Sequence, residues 1–172
     1  MVLKTIFLVL ASISCVFAAQ ATTTRYYDGT EGACGCGNSS GPFAWQNGIS
    51  TGVYTAAASQ GIFDAGGATW CGKGCGLCFK LTSTGKSPCS TCGTGGGAGQ
   101  SIIVMITNLC PYNGNQQWCP NPGGVNAYGY SAHFDIMSKN GFGWDNPVVD
   151  YVQVTCPTLA ASDYKQCVCA SA

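Results

Sequence analysis

The sequence predicts an all-β domain whose strands form a barrel or sheet joined by long, disulfide-stapled loops. Three observations predict it. Segments 78–84, 101–110 and 148–156 alternate or run apolar with β-branched residues; Gly, Asn and Pro clusters fill most of the space between such segments; and the cysteines sit inside or beside those clusters. An apolar content of 46% supports a buried core despite 25 glycines, and 172 residues suffice for one domain.

Taken in order, residues 1–18 read as a secretory signal peptide. Lys4 supplies the positive start, residues 5–17 run apolar, and Val16-Phe17-Ala18 offers small residues at the cleavage-defining positions. The run is shorter than the ~20 residues that cross a bilayer. The expectation is therefore a secreted, extracellular protein with Ala19 as its mature start and residues 19–172 as a single domain. Residues 54–63 (YTAAASQGIF) are alanine-rich and place Tyr54, Ala57, Ala58 and Ile62 at helical spacing, which predicts a short helix. Residues 101–110 (SIIVMITNLC) and the alternating segments 78–84 and 148–156 predict strands. In His133-Phe134-Asp135-Ile136-Met137 the period of two puts Phe134 and Ile136 on one face and His133, Asp135 and Met137 on the other. Residues 38–42, 86–99, 111–124 and 140–147 are loops. Residues 93–99 resemble a phosphate-binding loop in composition only, since they precede a strand and lack the Lys-Ser/Thr ending. Asn38-Ser39-Ser40 is an N-glycosylation sequon in a turn-rich segment.

Cys15 falls in the signal segment, which leaves twelve of the 13 cysteines, an even number. Six disulfides without an orphan is the natural reading in an oxidising compartment. Cys75-x-x-Cys78 with Cys89-x-x-Cys92 also fits a zinc-ribbon pattern, which is the weaker alternative there.

Charge narrows the function. Lys plus Arg number 7 and Asp plus Glu 7, so charged residues make up 8% of the chain and the net charge is zero. That balance lacks the basic footprint required by nucleic acid or an anionic membrane surface. His133 is the only histidine and no Gly-x-Ser-x-Gly elbow accompanies it, which argues against a serine triad and excludes histidine-rich metal catalysis. Carboxylate chemistry remains, and neither cofactor nor metal is expected. Asp135 has apolar strand neighbours that would raise its pKa and keep it protonated, as a general acid requires, although a strand-end aspartate can equally cap a turn. Asp28, between Tyr26-Tyr27 and Gly29, suits a solvated base or an Asx turn. Glu31 is the reserve candidate.

Residues 22–37 (TTTRYYDGTEGACGCG), 56–63, 69–78 (TWCGKGCGLC), 105–111 (MITNLCP) and 128–135 (YGYSAHFD) together resemble the glycoside hydrolase family 45 endoglucanases, closest to their fungal and molluscan subfamily B. The likeness spans nearly all of residues 19–172. It implies a six-stranded double-psi β-barrel with short helices and an open groove, and endo-hydrolysis of β-1,4-glucan with inversion by a monomeric catalytic domain. Matched by motif, Asp28 takes the place of the general base, Asp135 the general acid, Asn108 an auxiliary group near the attacking water, and Tyr26 an aromatic beside the scissile sugar. Inversion implies carboxyls ~6.5 to 9.5 Å apart. Residues 123–132 (GGVNAYGYSA) contain no acid where some members of the family carry a third, so loop closure is expected to differ.

A glucan offers apolar sugar faces and hydroxyls, so binding in a charge-poor protein must come from stacking and neutral hydrogen bonds. Trp45, Trp118, Tyr128 and Tyr130 are the candidate platforms. Trp70, beside Cys71, reads as packing, and His133 as a strand-face hydrogen-bonding group near the acid that can also approach substrate. Two rivals stand beside the endoglucanase reading: a non-hydrolytic wall-loosening protein resembling expansins or loosenins, which share the barrel and the His-Phe-Asp strand but generally lack the base, and a disulfide-rich binding or defence module resembling barwin. The absence of a Pro/Ser/Thr-rich linker or a cellulose-binding module after Ala172 carries the expectation of weak action on crystalline cellulose.

Overall fold

The computed structural model describes residues 18–47, 52–139 and 141–171. The signal-peptide reading and Cys15 lie outside the described residues, Ala18 apart. Six strands, β1 (Ala19–Tyr26), β2 (Val53–Ser59), β3 (Cys78–Ser83), β4 (Ser101–Cys110), β5 (His133–Met137) and β6 (Val149–Val154), close into a barrel in the order β1-β5-β2-β4-β3-β6. The pairs β1/β5 and β2/β4 run parallel and the other four antiparallel, so two parallel pairs are stitched side by side in the double-psi manner. Closure leaves no free sheet edge.

Alternation fills the barrel. Ala56 and Ala58 of β2, Leu81 of β3, Val104 and Ile106 of β4, Phe134 and Ile136 of β5 and Val149 of β6 form one buried cluster. Phe79, Phe134 and Tyr151 meet in tilted and edge-on contacts, with ring centroids 5.3 to 6.1 Å apart and Tyr151 closing the cluster from its partly exposed side. Truncating a fully buried ring such as Phe134 to alanine costs about 3–5 kcal/mol. A second cluster, Val53, Cys78, Met105 and Ala160, lies outside the barrel under α2 (Thr158–Tyr164).

The predicted helix at residues 54–63 is a correction. Only Gln60–Phe63 (α1) is helical, a single turn, and Val53–Ser59 is a strand. The alanines are there for size: β2 is hydrogen-bonded to β4 and β5 at once, and that pairing outweighs a helix propensity worth at most about 1 kcal/mol per residue. Strand β1 and helix α2 were not anticipated from periodicity. The two CxxC pairs do not form a zinc ribbon. The bridges are Cys34–Cys75, Cys36–Cys167, Cys71–Cys169, Cys78–Cys156, Cys89–Cys92 and Cys110–Cys119, which uses all twelve cysteines after Cys15. The Cys36–Cys167 link spans 131 positions and restrains the unfolded chain most, by about 5 kcal/mol on the chain-entropy account.

Candidate active site

One row of residues across the outer face of the barrel carries the chemistry. Register places Thr24 of β1 opposite Asp135 of β5, Asp135 opposite Ala57 of β2, and Ala57 opposite Asn108 of β4. The last pairing depends on an irregularity. Ala56 faces Ile106 while Ala57 faces Asn108, so the β4 backbone bulges at Thr107. A bulge re-aims every side chain beyond it, and here it turns Asn108 outward to the site while Leu109 packs inward. Thr107 is left buried with its hydroxyl unpartnered. Gly32 makes room for this: a Cβ at that position would stand 2.4 Å from the Thr107 carbonyl oxygen. The loop it opens brings the Ala33 N–H within 2.7 Å of Asn108 Oδ1, which also accepts from the Leu109 N–H. The Asn108 amide is thereby oriented, and its Nδ2 donates to the Tyr26 hydroxyl at 3.3 Å.

Asp135 is the end of a directed chain of hydrogen bonds. Asn126 Nδ2 donates to Thr22 Oγ1 (2.8 Å), Thr22 Oγ1 lies 2.8 Å from His133 Nδ1, His133 Nε2 lies 2.9 Å from Thr24 Oγ1, and Thr24 Oγ1 donates to Asp135 Oδ1 (2.7 Å). The first link is an amide donor and the last a carboxylate acceptor, so the directions between them follow. Thr22 donates to Nδ1 and the Nε2–H donates to Thr24, which assigns a neutral imidazole. Burial agrees, pushing the His133 pKa down to about 3. The Asp135 pKa is raised to about 6, first by burial and further by the negative charge of Asp28, while the Thr24 hydrogen bond pulls it the other way. This strand carboxyl therefore keeps its proton into the mildly acidic range.

Asp28 stands in a different setting. It is exposed in the turn after β1, and its Oδ1 accepts the Thr30 N–H at 3.1 Å, an Asx turn before Gly29 with φ +71°. The turn and the functional position coexist. Asp28, Asp135, Asn108, Tyr26, Ala57 and Asn115 line one recess. Tyr26 is largely covered there; burial raises its pKa most, the Asn108 hydrogen bond opposes this, and both aspartates add to it, so the phenol stays neutral. At Tyr26 the recess meets a larger open cleft of about 590 Å³ that includes Thr24, Tyr27 and Trp118. The indole of Trp118 lies 4.7 Å from the Tyr128 ring and 5.7 Å from that of His133, a partly exposed aromatic wall.

The remaining predicted residues fall elsewhere. Trp45 sits in a 3₁₀ turn (Ala44–Asn47), stacks on Phe43 at 6.4 Å and packs against the Val53–Met105 cluster, so it does not line the cleft. Tyr130 borders a separate recess with Gln20 and Lys86. His133 is fully buried and contacts Thr22, Thr24 and the back of Trp118, which removes it from direct reach of a ligand. Trp70 is 50% exposed rather than packed, although its neighbour Cys71, at φ +50°, is tied to Cys169. Cys110, Cys119 and His133 come close together, but the two sulfurs are joined and both ring nitrogens face threonines, so the trio is not a metal centre. Thr22, Thr24 and Asn126 were missed. The two threonines were legible in principle from the period of two in Thr22-Thr23-Thr24-Arg25-Tyr26; Asn126 was not, since only a loop fold brings it to β1.

Comparison with known proteins supplies an independent line. A family model described as "EXPB1-like domain 1" matches residues 21–162. Endoglucanase-5 of Hypocrea jecorina is 66% identical over 157 residues, covering 91% of this chain; the chain spans 65% of that relative's length. An endoglucanase of Mytilus edulis is 44% identical, with 87% of this chain and 90% of the relative covered. Among solved structures, that of the GH45 endoglucanase EG27II in complex with cellobiose superimposes with a TM-score of 0.81 at 40% identity, covering 90% of each chain.

Proposed function

The chain belongs to the glycoside hydrolase family 45 endoglucanases, and from that premise we propose that it is an endo-β-1,4-glucanase that cleaves internal glucosidic bonds with inversion. The observation that carries the proposal is the pair of carboxyls in one recess, of which the strand-borne Asp135 is held protonated to about pH 6 and the turn-borne Asp28 faces solvent. Asp135 donates its proton to the leaving glycosidic oxygen as the bond to the anomeric carbon breaks. Asp28 takes a proton from the water that attacks the opposite face. The two groups end the cycle with protonation exchanged and reset through solvent. Asn108, its carbonyl oxygen held by two backbone N–H groups, keeps an amide hydrogen for that water. Tyr26 abuts the reacting sugar as a neutral phenol, and Trp118 with Tyr128 supplies a stacking surface.

His133 is a positioning residue in this reading: through Thr24 it fixes which oxygen of Asp135 is engaged and leaves Oδ2 to the substrate. Residues 1–18 act as a secretion signal, residues 19–172 as a single catalytic domain working as a monomer outside the cell, with a β-1,4-glucan such as cellulose as substrate. The wall-loosening alternative differs in releasing no reducing ends. A proton NMR time course on a soluble cello-oligosaccharide tests both points: an α-anomer before mutarotation is expected, a β-anomer breaks single displacement, and no new reducing ends on any β-1,4-glucan breaks the hydrolase reading.

A further inference from the structure

The larger cleft has a charge pattern unusual for this chain. Its lining holds Arg25 and Lys139 and no acidic residue, whereas the adjoining recess holds Asp28 and Asp135 and no basic one. In a protein with 8% charged residues, two cations at one mouth of a groove are a concentrated field. Both side chains are exposed, and neither is ion-paired with a carboxylate among the described residues. Lys139 Nζ lies over the Tyr27 ring, 5.4 Å from its centroid. Arg25 lies across Gly141, where a Cβ would come within 2.5 Å of its guanidinium nitrogen; with φ +73° this position favours glycine on both counts. The acid whose field reaches Arg25 is Asp145, and its Oδ2 is already taken by the Thr94 N–H and hydroxyl. Exposed and without an ion pair among the described residues, the two cations are open to a ligand.

We infer that this end of the groove selects β-1,4-glucan chains bearing a carboxylate, with Arg25 and Lys139 as the specificity-determining pair. The inference rests on the endoglucanase reading, because it is the glucan that carries the carboxylate along the groove. Trp118 and Tyr27 offer apolar surface for the sugar face while the planar guanidinium matches a carboxylate and the ammonium adds a point charge beside it. The carboxylate can sit at a chain end, as in a gluconate terminus, or within the chain, as in a glucuronate unit.

The test compares kcat/KM for three cello-oligosaccharides of equal length, one neutral, one gluconate-terminated and one with an internal glucuronate, each against wild type and R25Q/K139Q. At low salt at least one anionic substrate should be preferred about three- to tenfold over the neutral one, the sum expected for two exposed ion pairs, and the preference should collapse at about 0.5 M salt. The arm that shows the preference identifies the source of the carboxylate. In the double variant the anionic-to-neutral ratio should fall to about one. Lys139→Gln alone, in a loop and harmless to the barrel, should move the ratio part of the way. Ratios at or below one for both anionic substrates, or a preference that survives R25Q/K139Q, overturn the inference. If none of the three is cleaved, the endoglucanase reading fails, and calorimetric affinities for the same set still decide whether the cationic mouth prefers a carboxylate.

Discussion

Asp28 and Asp135 share one recess but are held by opposite kinds of scaffold. Asp135 is on a central strand, covered by its neighbours and tied through Thr24, His133 and Thr22 to Asn126. Asp28 is on an exposed turn, anchored by one bond to the Thr30 N–H. The difference teaches how one site keeps an acid beside a base. Desolvation on the strand favours the neutral carboxylic acid at Asp135, while Asp28 stands open to water at the turn, so location in the fold sets the two carboxyls apart before any substrate arrives.

Removing the strand partner should have the largest effect. Asp135→Ala should lower kcat by about 10³- to 10⁴-fold with KM changed little, measured on a soluble glucan; activity within tenfold of wild type would end the general-acid role. Asp28→Ala should cost about 10²- to 10³-fold, somewhat less because Asn108 still addresses the water, and a near-wild-type enzyme would dissolve the contrast between base and acid. Thr24→Val probes the tether itself. It strips Asp135 of a bond that favours its ionised form and leaves the buried Nε2–H of His133 without an acceptor. The expected result is a loss of about 1–3 kcal/mol in stability, a roughly tenfold lower kcat, and an alkaline limb moved to higher pH, read by thermal unfolding and a pH profile.

The pH profile of the wild type sharpens the same comparison. Asp135 must be protonated to act, so with its pKa raised to about 6, kcat/KM should be flat just below that pH and fall about tenfold per unit above it. An alkaline limb near pH 4 would mean that burial does not tune this carboxyl. The smallest effect is expected at Glu31, exposed and outside the recess: Glu31→Gln should stay within about twofold. Were Glu31→Gln inactive and Asp28→Ala active, the base would be Glu31.

Much of this was legible in the chain. Cysteine parity implied full pairing because each disulfide needs two partners, and the period of two in His133–Met137 separated Phe134 and Ile136 from His133 and Asp135 because successive strand residues face opposite ways. The pairing of the bridges was not legible, nor was β2, whose alanines satisfy a helical and a strand period equally well. The tertiary structure alone decided three things. It made Val53–Ser59 a strand by hydrogen-bonding it on both sides. It turned Asn108 toward Asp135 through a bulge at Thr107 that no local pattern announces. It also buried His133 behind Thr24 and left Trp70 in solvent. Local periodicity reports which way a side chain points from its own backbone; what it points at depends on which strands become neighbours, and that is settled only when the barrel closes.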